Sequence, residues 1–192
     1  MNIGNRLKNL RQNLAEKELD GIFISQTENR YYLSGFNGSA GYLLITPKET
    51  VLATDFRYVE QVKVQAPDYR LFQITGPLAD WFPKLIDGLN LKRLGFEGGD
   101  VTFNLYKQLS DALNKAQSSL QLIPTDGLVE ELRAIKEAEE IEFITRAVEI
   151  TDMRSGVNDV FAIHPEQQSE HAVRRRVLRP HVDLELFAIL RW

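Results

Sequence analysis

The chain has no cysteine, which excludes disulfides and thiolate chemistry and points to a cytoplasmic setting. It has no excess of basic charge: 23 Lys and Arg stand against 27 Asp and Glu, and the net charge of -4 argues against a nucleic-acid footprint, which needs a basic face. No apolar run reaches the length of a membrane-spanning helix. Met1-Asn2-Ile3-Gly4-Asn5-Arg6 lacks the apolar stretch of a secretory signal. There is no internal repeat, no low-complexity tract and no specific Ser/His/Asp pattern.

What is present is an ordinary globular mixture, 43% hydrophobic and 26% charged over 192 residues, enough for one large domain or one domain and part of another. Residues 1–153 hold nine Lys and eight Arg, whereas residues 154–192 hold six Arg and no Lys. All three histidines, His164, His171 and His181, lie in the later stretch, so a boundary is expected near residue 153. Their separations of seven and ten residues do not match helical metal-ligand spacing, and a solvated helix face beside Arg174-Arg175-Arg176 is the better reading.

Periodicity supplies the elements. Ile3, Leu7, Leu10 and Leu14 recur at helical spacing, and Asp20-Gly21 is expected to end that helix with Gly21 in the left-handed region. Ile22-Phe23-Ile24 reads as a buried strand. Residues 42–46 and 51–54 read as a hairpin around Pro47-Lys48-Glu49-Thr50. Thr54 or Asp55 can cap a helix to about residue 65. Strands follow at 69–74, 93–97 and 120–123, alternating with helices at 78–89 and 102–115. The order helix, strand, helix, strand, strand, then alternating helices and strands predicts an α/β fold, a mixed sheet covered on both faces. Leu128, Leu132, Ile135, Ile141, Ile144, Val148 and Thr151 share one face of a long charged helix with a break near Lys136.

Two segments concentrate glycines, aromatics and an acid–arginine pair: Tyr31 to Gly41 and Thr54 to Gln61. Gly35, Gly38 and Gly41 precede a strand rather than a helix, the reverse of a dinucleotide fingerprint, so they read as a tight loop. Asp55 and Arg57 can orient a carboxylate or polarise a substrate. Arg57 and Glu60, three apart on a helix, can form a local ion pair, which at an exposed site contributes little to stability.

Asn29-Arg30-Tyr31-Tyr32-Leu33-Ser34-Gly35-Phe36, Gly38-Ser39-Ala40-Gly41, Leu43-Leu44-Ile45-Thr46 and Thr54-Asp55-Phe56-Arg57-Tyr58-Val59-Glu60-Gln61 closely resemble the N-terminal domain of the creatinase/prolidase/Xaa-Pro aminopeptidase family. Leu132-Arg133-Ala134-Ile135-Lys136, Glu140-Ile141 and Ala147 to Thr151 resemble the helix that joins it to the catalytic domain. The resemblance implies an N-terminal three-layer α/β/α domain over 1–127, a linker helix over 128–152 and a truncated or divergent start of the catalytic domain over 153–192. Ile163-His164-Pro165-Glu166 is similar to that start, with Glu166 where glycine is usual.

In the family, the catalytic domain holds two divalent cations (Mn, Co or Zn) on two Asp, one His and two Glu and cleaves the bond before proline. The resemblance therefore implies no metal and no catalytic residue in this chain. The implied partners are the chain's own catalytic domain, a second subunit in a homodimer and proline-containing peptides, with no nucleic acid or membrane. It further implies that Phe36, Asn37 and Ser39 form a loop over the partner subunit's active site, with Arg57 supporting it or facing substrate. Two other readings stand beside this one: a non-catalytic peptide- or protein-binding module, and the N-terminal domain of a creatinase-like amidinohydrolase.

Overall fold

The computed structural model describes residues 2–162, with side chains through residue 151. Its elements run α1 (Ile3–Glu16), β1 (Gly21–Ile24), α2 (Thr27–Ser34), β2 (Tyr42–Ile45) and β3 (Thr50–Thr54). A 3₁₀ turn (Phe56–Tyr58) leads into α3 (Val59–Gln65), then β4 (Arg70–Gln73), α4 (Leu78–Ile86), β5 (Arg93–Glu97), α5 (Phe103–Lys115), β6 (Gln121–Thr125), α6 (Glu130–Ala134) and α7 (Ala138–Ala162). The six strands form one mixed sheet in the order β4-β3-β2-β1-β5-β6. β1 pairs antiparallel with β2 and parallel with β5, β2 and β3 form the expected hairpin, and β4 and β6 add parallel strands at the edges.

Alternation along the strands builds two cores, because successive side chains leave opposite faces. Ile22, Ile24, Leu43, Ile45 and Leu52 pack with Leu7, Leu10 and Leu14 of α1, Leu33 of α2 and Val62 of α3. Phe23, Leu44, Val51, Ala53, Leu94 and Phe96 face the other way and pack with Trp81, Phe82 and Leu85 of α4 and Leu109 and Leu113 of α5. The result is the predicted α/β/α arrangement.

Side-chain caps fix several boundaries. Asn2 accepts from the Asn5 amide at 3.1 Å and Thr102 from the Leu105 amide at 3.2 Å, each satisfying a donor that the first helical turn leaves free. The hairpin turn is held by Thr46, whose hydroxyl oxygen accepts from the Glu49 amide at 2.9 Å.

The end of α1 differs from expectation. Glu18, not Gly21, takes the left-handed conformation, at φ 55°. Gly21 opens β1, where an added Cβ would lie 2.9 Å from the Ile45 carbonyl oxygen. Close strand approach, not backbone handedness, is what requires a glycine there.

The chain divides into two compact units between Ile135 and Lys136. Ile135 is extended, at φ -94° and ψ 107°, so α6 stops before it, and α7 begins anew at Ala138. Within α7, Ile141, Ile144 and Val148 are exposed. The histidines and Ile163-His164-Pro165-Glu166 lie outside the described residues.

Candidate functional site

The two segments singled out in the sequence meet in space. The α2 helix ends at Gly35, which takes φ 73° as its left-handed cap and turns the chain into the loop 36–41. The 3₁₀ turn that follows β3 lies beside this loop and is capped by Asp55. Thr54 donates its hydroxyl to the Ala40 carbonyl at 2.6 Å, tying the two segments together.

Beneath the loop is a buried clamp. Arg30 of α2, only 2% exposed, donates to the Gly41 carbonyl at 2.7 Å and to the Gly38 carbonyl at 2.5 Å. Its guanidinium also sits 5.7 Å from the centre of the Phe36 ring. Burial lowers the Arg30 pKa from its ordinary value, opposed by the nearby Tyr42, Glu28, Asp100 and Glu97. Gly38 is forced by packing, since a Cβ there would lie 2.2 Å from Phe36 Cζ.

Phe36 therefore differs from its expected placement at substrate. Its ring is 0% exposed and packs edge-on against Tyr58 with centroids 5.7 Å apart. An aromatic side chain after a glycine cap finds more apolar contact inward than outward, and here it anchors the loop. Asn37 and Ser39 are exposed. Asn37 is grasped by α3: its amide donates to Gln65 at 3.1 Å, and its side-chain oxygen accepts from Gln61 at 2.7 Å and Gln65 at 3.1 Å. The Ser39 and Tyr58 hydroxyls share a 2.6 Å hydrogen bond.

Arg57 completes the outer rim. Its Nε and Nη2 donate to the two carboxylate oxygens of Asp55 at 2.9 and 2.7 Å, and its backbone amide donates to Asp55 Oδ1 at 3.0 Å. The ion pair that helical spacing allows between Arg57 and Glu60 does not form, because Asp55 is nearer along the turn and Glu60 instead pairs with Lys63 at 2.6 Å. The Arg57 hydrogen bond holds the Asp55 carboxyl below its usual range, and Asp55 in turn raises Arg57.

A second polar cluster was not legible in the spacing. Glu97, 7% exposed at the end of β5, accepts from the Ser25 and Gln26 amides at 2.7 Å each and from Asn29 Nδ2 at 2.6 Å. Asn29 also donates to Glu130 at 2.6 Å and accepts from Arg133 Nη1 at 2.7 Å, so the cluster joins β5 and α2 to α6. Burial pushes the Glu97 carboxyl up, against hydrogen bonds from Gln26, Asn29 and Ser25 that hold it down. The cluster borders a cleft of about 270 Å³ that Gln26, Glu97, Asp100, Asp126 and Glu130 also line. It lies at the C-terminal ends of β5 and β6, the edge where open α/β sheets usually take ligands. Its members come from elements up to 104 positions apart, as in Arg133 and Asn29. The only local signal was polar Asn29-Arg30 in a helix that buries both.

Among the described residues no group of three or more His, Cys, Asp or Glu is arranged to hold a metal ion, and no helix is long and apolar enough to cross a membrane.

Fold and site together define a three-layer α/β domain that presents a short loop on a buried arginine clamp. A family model described as the creatinase/prolidase N-terminal domain matches residues 6–135, and the chain belongs to that family. Over 164 residues it is 32% identical to the uncharacterized peptidase YqhT of Bacillus subtilis (strain 168), a match covering 81% of this chain and 45% of that protein. The Xaa-Pro dipeptidase of Bacillus anthracis superposes with a TM-score of 0.77 at 35% identity, over 83% of this chain and 44% of the other. The N-terminal domain of the cytoplasmic peptidase PepQ of Mycobacterium tuberculosis H37Rv superposes with a TM-score of 0.61 at 35% identity, over 67% of this chain and 98% of that domain. The chain thus spans less than half the length of YqhT and of the B. anthracis dipeptidase.

Proposed function

We propose that this chain is the non-catalytic N-terminal domain of a proline-specific metallopeptidase, an Xaa-Pro aminopeptidase or Xaa-Pro dipeptidase, serving dimerisation and substrate gating. The observation that carries this reading is the exposed rim of Asn37, Ser39 and Arg57, held on the buried Arg30–Phe36 clamp in a domain of this family. Relatives named for Xaa-Pro cleavage are more than twice the length of the matched region, which leaves room for a separate catalytic part.

In this reading the parent enzyme hydrolyses the Xaa-Pro bond in the cytoplasm with two divalent cations, Mn, Co or Zn. The described residues do not fit such an ion pair, and the work of this domain is positioning. Phe36 and Arg30 hold the loop from below. Asn37, Ser39 and Arg57 face a proline-containing peptide in the active site of the second subunit of a homodimer. Residues 128–152 link to the catalytic part, whose opening is 153–192.

Purified chain incubated with Xaa-Pro peptides and added manganese or cobalt is expected to show no hydrolysis. Robust cleavage that a chelator abolishes would overturn the non-catalytic assignment.

A further inference from the structure

We propose that Asn37 is a site of spontaneous covalent modification: its side-chain amide reacts with the Gly38 backbone nitrogen, loses ammonia and becomes an aspartyl residue. The proposal stands on the chemistry of the loop itself and does not depend on what faces the rim.

The sequence contains a single Asn-Gly step, Asn37-Gly38. An asparagine side chain can close a cyclic imide with the backbone nitrogen of the residue that follows it. A side chain on that following residue obstructs the approach, whereas glycine leaves it open and tolerates the backbone angles the ring needs. Here the glycine is not interchangeable, because a Cβ on Gly38 would overlap the Phe36 ring. Packing beneath the loop therefore enforces the reactive pair.

The surroundings favour each stage of the reaction. Asn37 is exposed, so water reaches it. Its Oδ1 accepts from Gln61 Nε2 at 2.7 Å and from Gln65 Nε2 at 3.1 Å. Two donors aimed at one atom mark it as the oxygen and leave Nδ2 as the other end of the amide. Among the described residues neither Nδ2 nor the Gly38 N–H donates a hydrogen bond, so the leaving group and the nucleophile are both unengaged. The Asn37 backbone amide donates to Gln65 at 3.1 Å, which holds the residue from its other side. Beneath, the buried Arg30 guanidinium donates to the Gly38 carbonyl, and a neighbouring cation favours the amide anion that must attack.

The Gly38 nitrogen loses its proton to hydroxide and forms a bond to Asn37 Cγ. Negative charge then collects on Oδ1, where the Gln61 and Gln65 donors already point. The Cγ–Nδ2 bond breaks, Nδ2 takes a proton from water and ammonia leaves, giving the imide. Water opens the ring at Cγ to give aspartate, or at the Asn37 backbone carbonyl to give the isoaspartyl linkage. The net change is one water consumed, one ammonia released and one negative charge added beside Ser39; nothing is oxidised or reduced.

The test is incubation of the 192-residue chain in mildly alkaline buffer, with and without guanidinium chloride, followed by tryptic digestion and mass spectrometry. The tryptic peptide 31–48 contains Asn37 as its only Asn or Gln, so a change of amide to acid in that peptide is assigned without ambiguity. Digested Asn37→Asp chain serves as the aspartyl standard. The folded chain is expected to gain the acid at least as fast as the denatured chain. Gln61→Leu is expected to slow the gain roughly threefold, less than the loss of a buried oxyanion donor would, because this donor lies at the surface. A peptide 31–48 that stays unchanged in the folded chain, or changes more slowly than in the denatured one, would overturn the proposal by showing that the loop protects Asn37. An equal or faster gain in Gln61→Leu would overturn it by removing the role of the donors. The comparison of folded with denatured chain uses no variant and decides the matter even where Gln61→Leu fails to fold.

Discussion

Arg30 is buried and gives its hydrogen bonds to two loop carbonyls, whereas Arg57 stands in solvent and gives its own to a neighbouring carboxylate. The two sit below and beside the same loop, and the contrast separates holding a shape from presenting one. A buried guanidinium is costly unless its donors are used, and Arg30 directs Nη1 at the Gly41 carbonyl and Nη2 at the Gly38 carbonyl, while its buried Nε makes no hydrogen bond. An exposed guanidinium costs little and contributes little to folding, and the Arg57 side chain is 58% exposed. Neither arginine can be assigned from its residue type; burial decides between the roles.

The largest expected effect tests the inner half of that contrast. Arg30→Met should lower the unfolding free energy by about 2–4 kcal/mol, because two buried carbonyls lose charged donors that a thioether cannot replace. Denaturant unfolding measures this, and a loss below about 1 kcal/mol would remove the distinction between the two arginines.

Glu97 provides an intermediate case, a buried acid in a cluster away from the loop. Its folded pKa lies above the ordinary carboxylate value of 4.5 because burial outweighs the three hydrogen-bond donors. Folding is therefore disfavoured by its ionisation: the stability it contributes is greatest below that value and falls as pH rises through the folded pKa. Glu97→Gln removes this ionisation. Thermal melts across the acid range should show the wild-type advantage over Glu97→Gln shrinking as pH increases, and parallel profiles would mean that Glu97 does not titrate differently in the fold.

The smallest stability effect is expected for Arg57→Ala. Its urea midpoint should match the wild type within error, because an ion pair at an exposed site contributes little to stability. A loss of stability comparable to that of Arg30→Met would make Arg57 a structural residue and erase the contrast from the other side.

Much of the fold was legible because it depends on local periodicity. Ile22-Phe23-Ile24 and Leu43-Leu44-Ile45 alternate between the two cores as a period of two requires, and Thr102 and Asp55 cap where short polar side chains should. The misreadings have a common cause in contacts made across sequence distance. Gly21 resembled a helix stop, but its constraint is the Ile45 carbonyl on the next strand. Arg57 was matched to Glu60 by helical spacing, although the turn places Asp55 against it. The resemblance placed Phe36 in a loop over the partner subunit's active site, and within that loop packing against Tyr58 and Arg30 turns its ring inward.

The sequence by itself determined the α/β class, the strands, the Asp55 and Thr102 caps and the family, since those follow from residue spacing and from short strings such as Thr54-Asp55-Phe56-Arg57-Tyr58. Only the tertiary structure decided which polar residues are interior and which are presented. Arg30, Asn29 and Glu97 are buried because partners from α2, the loop, β5 and α6 converge on them. Arg57 remains outside because Asp55 satisfies one edge of its fork and leaves the other to solvent. That difference depends on desolvation and on three-dimensional partners, which no local pattern records.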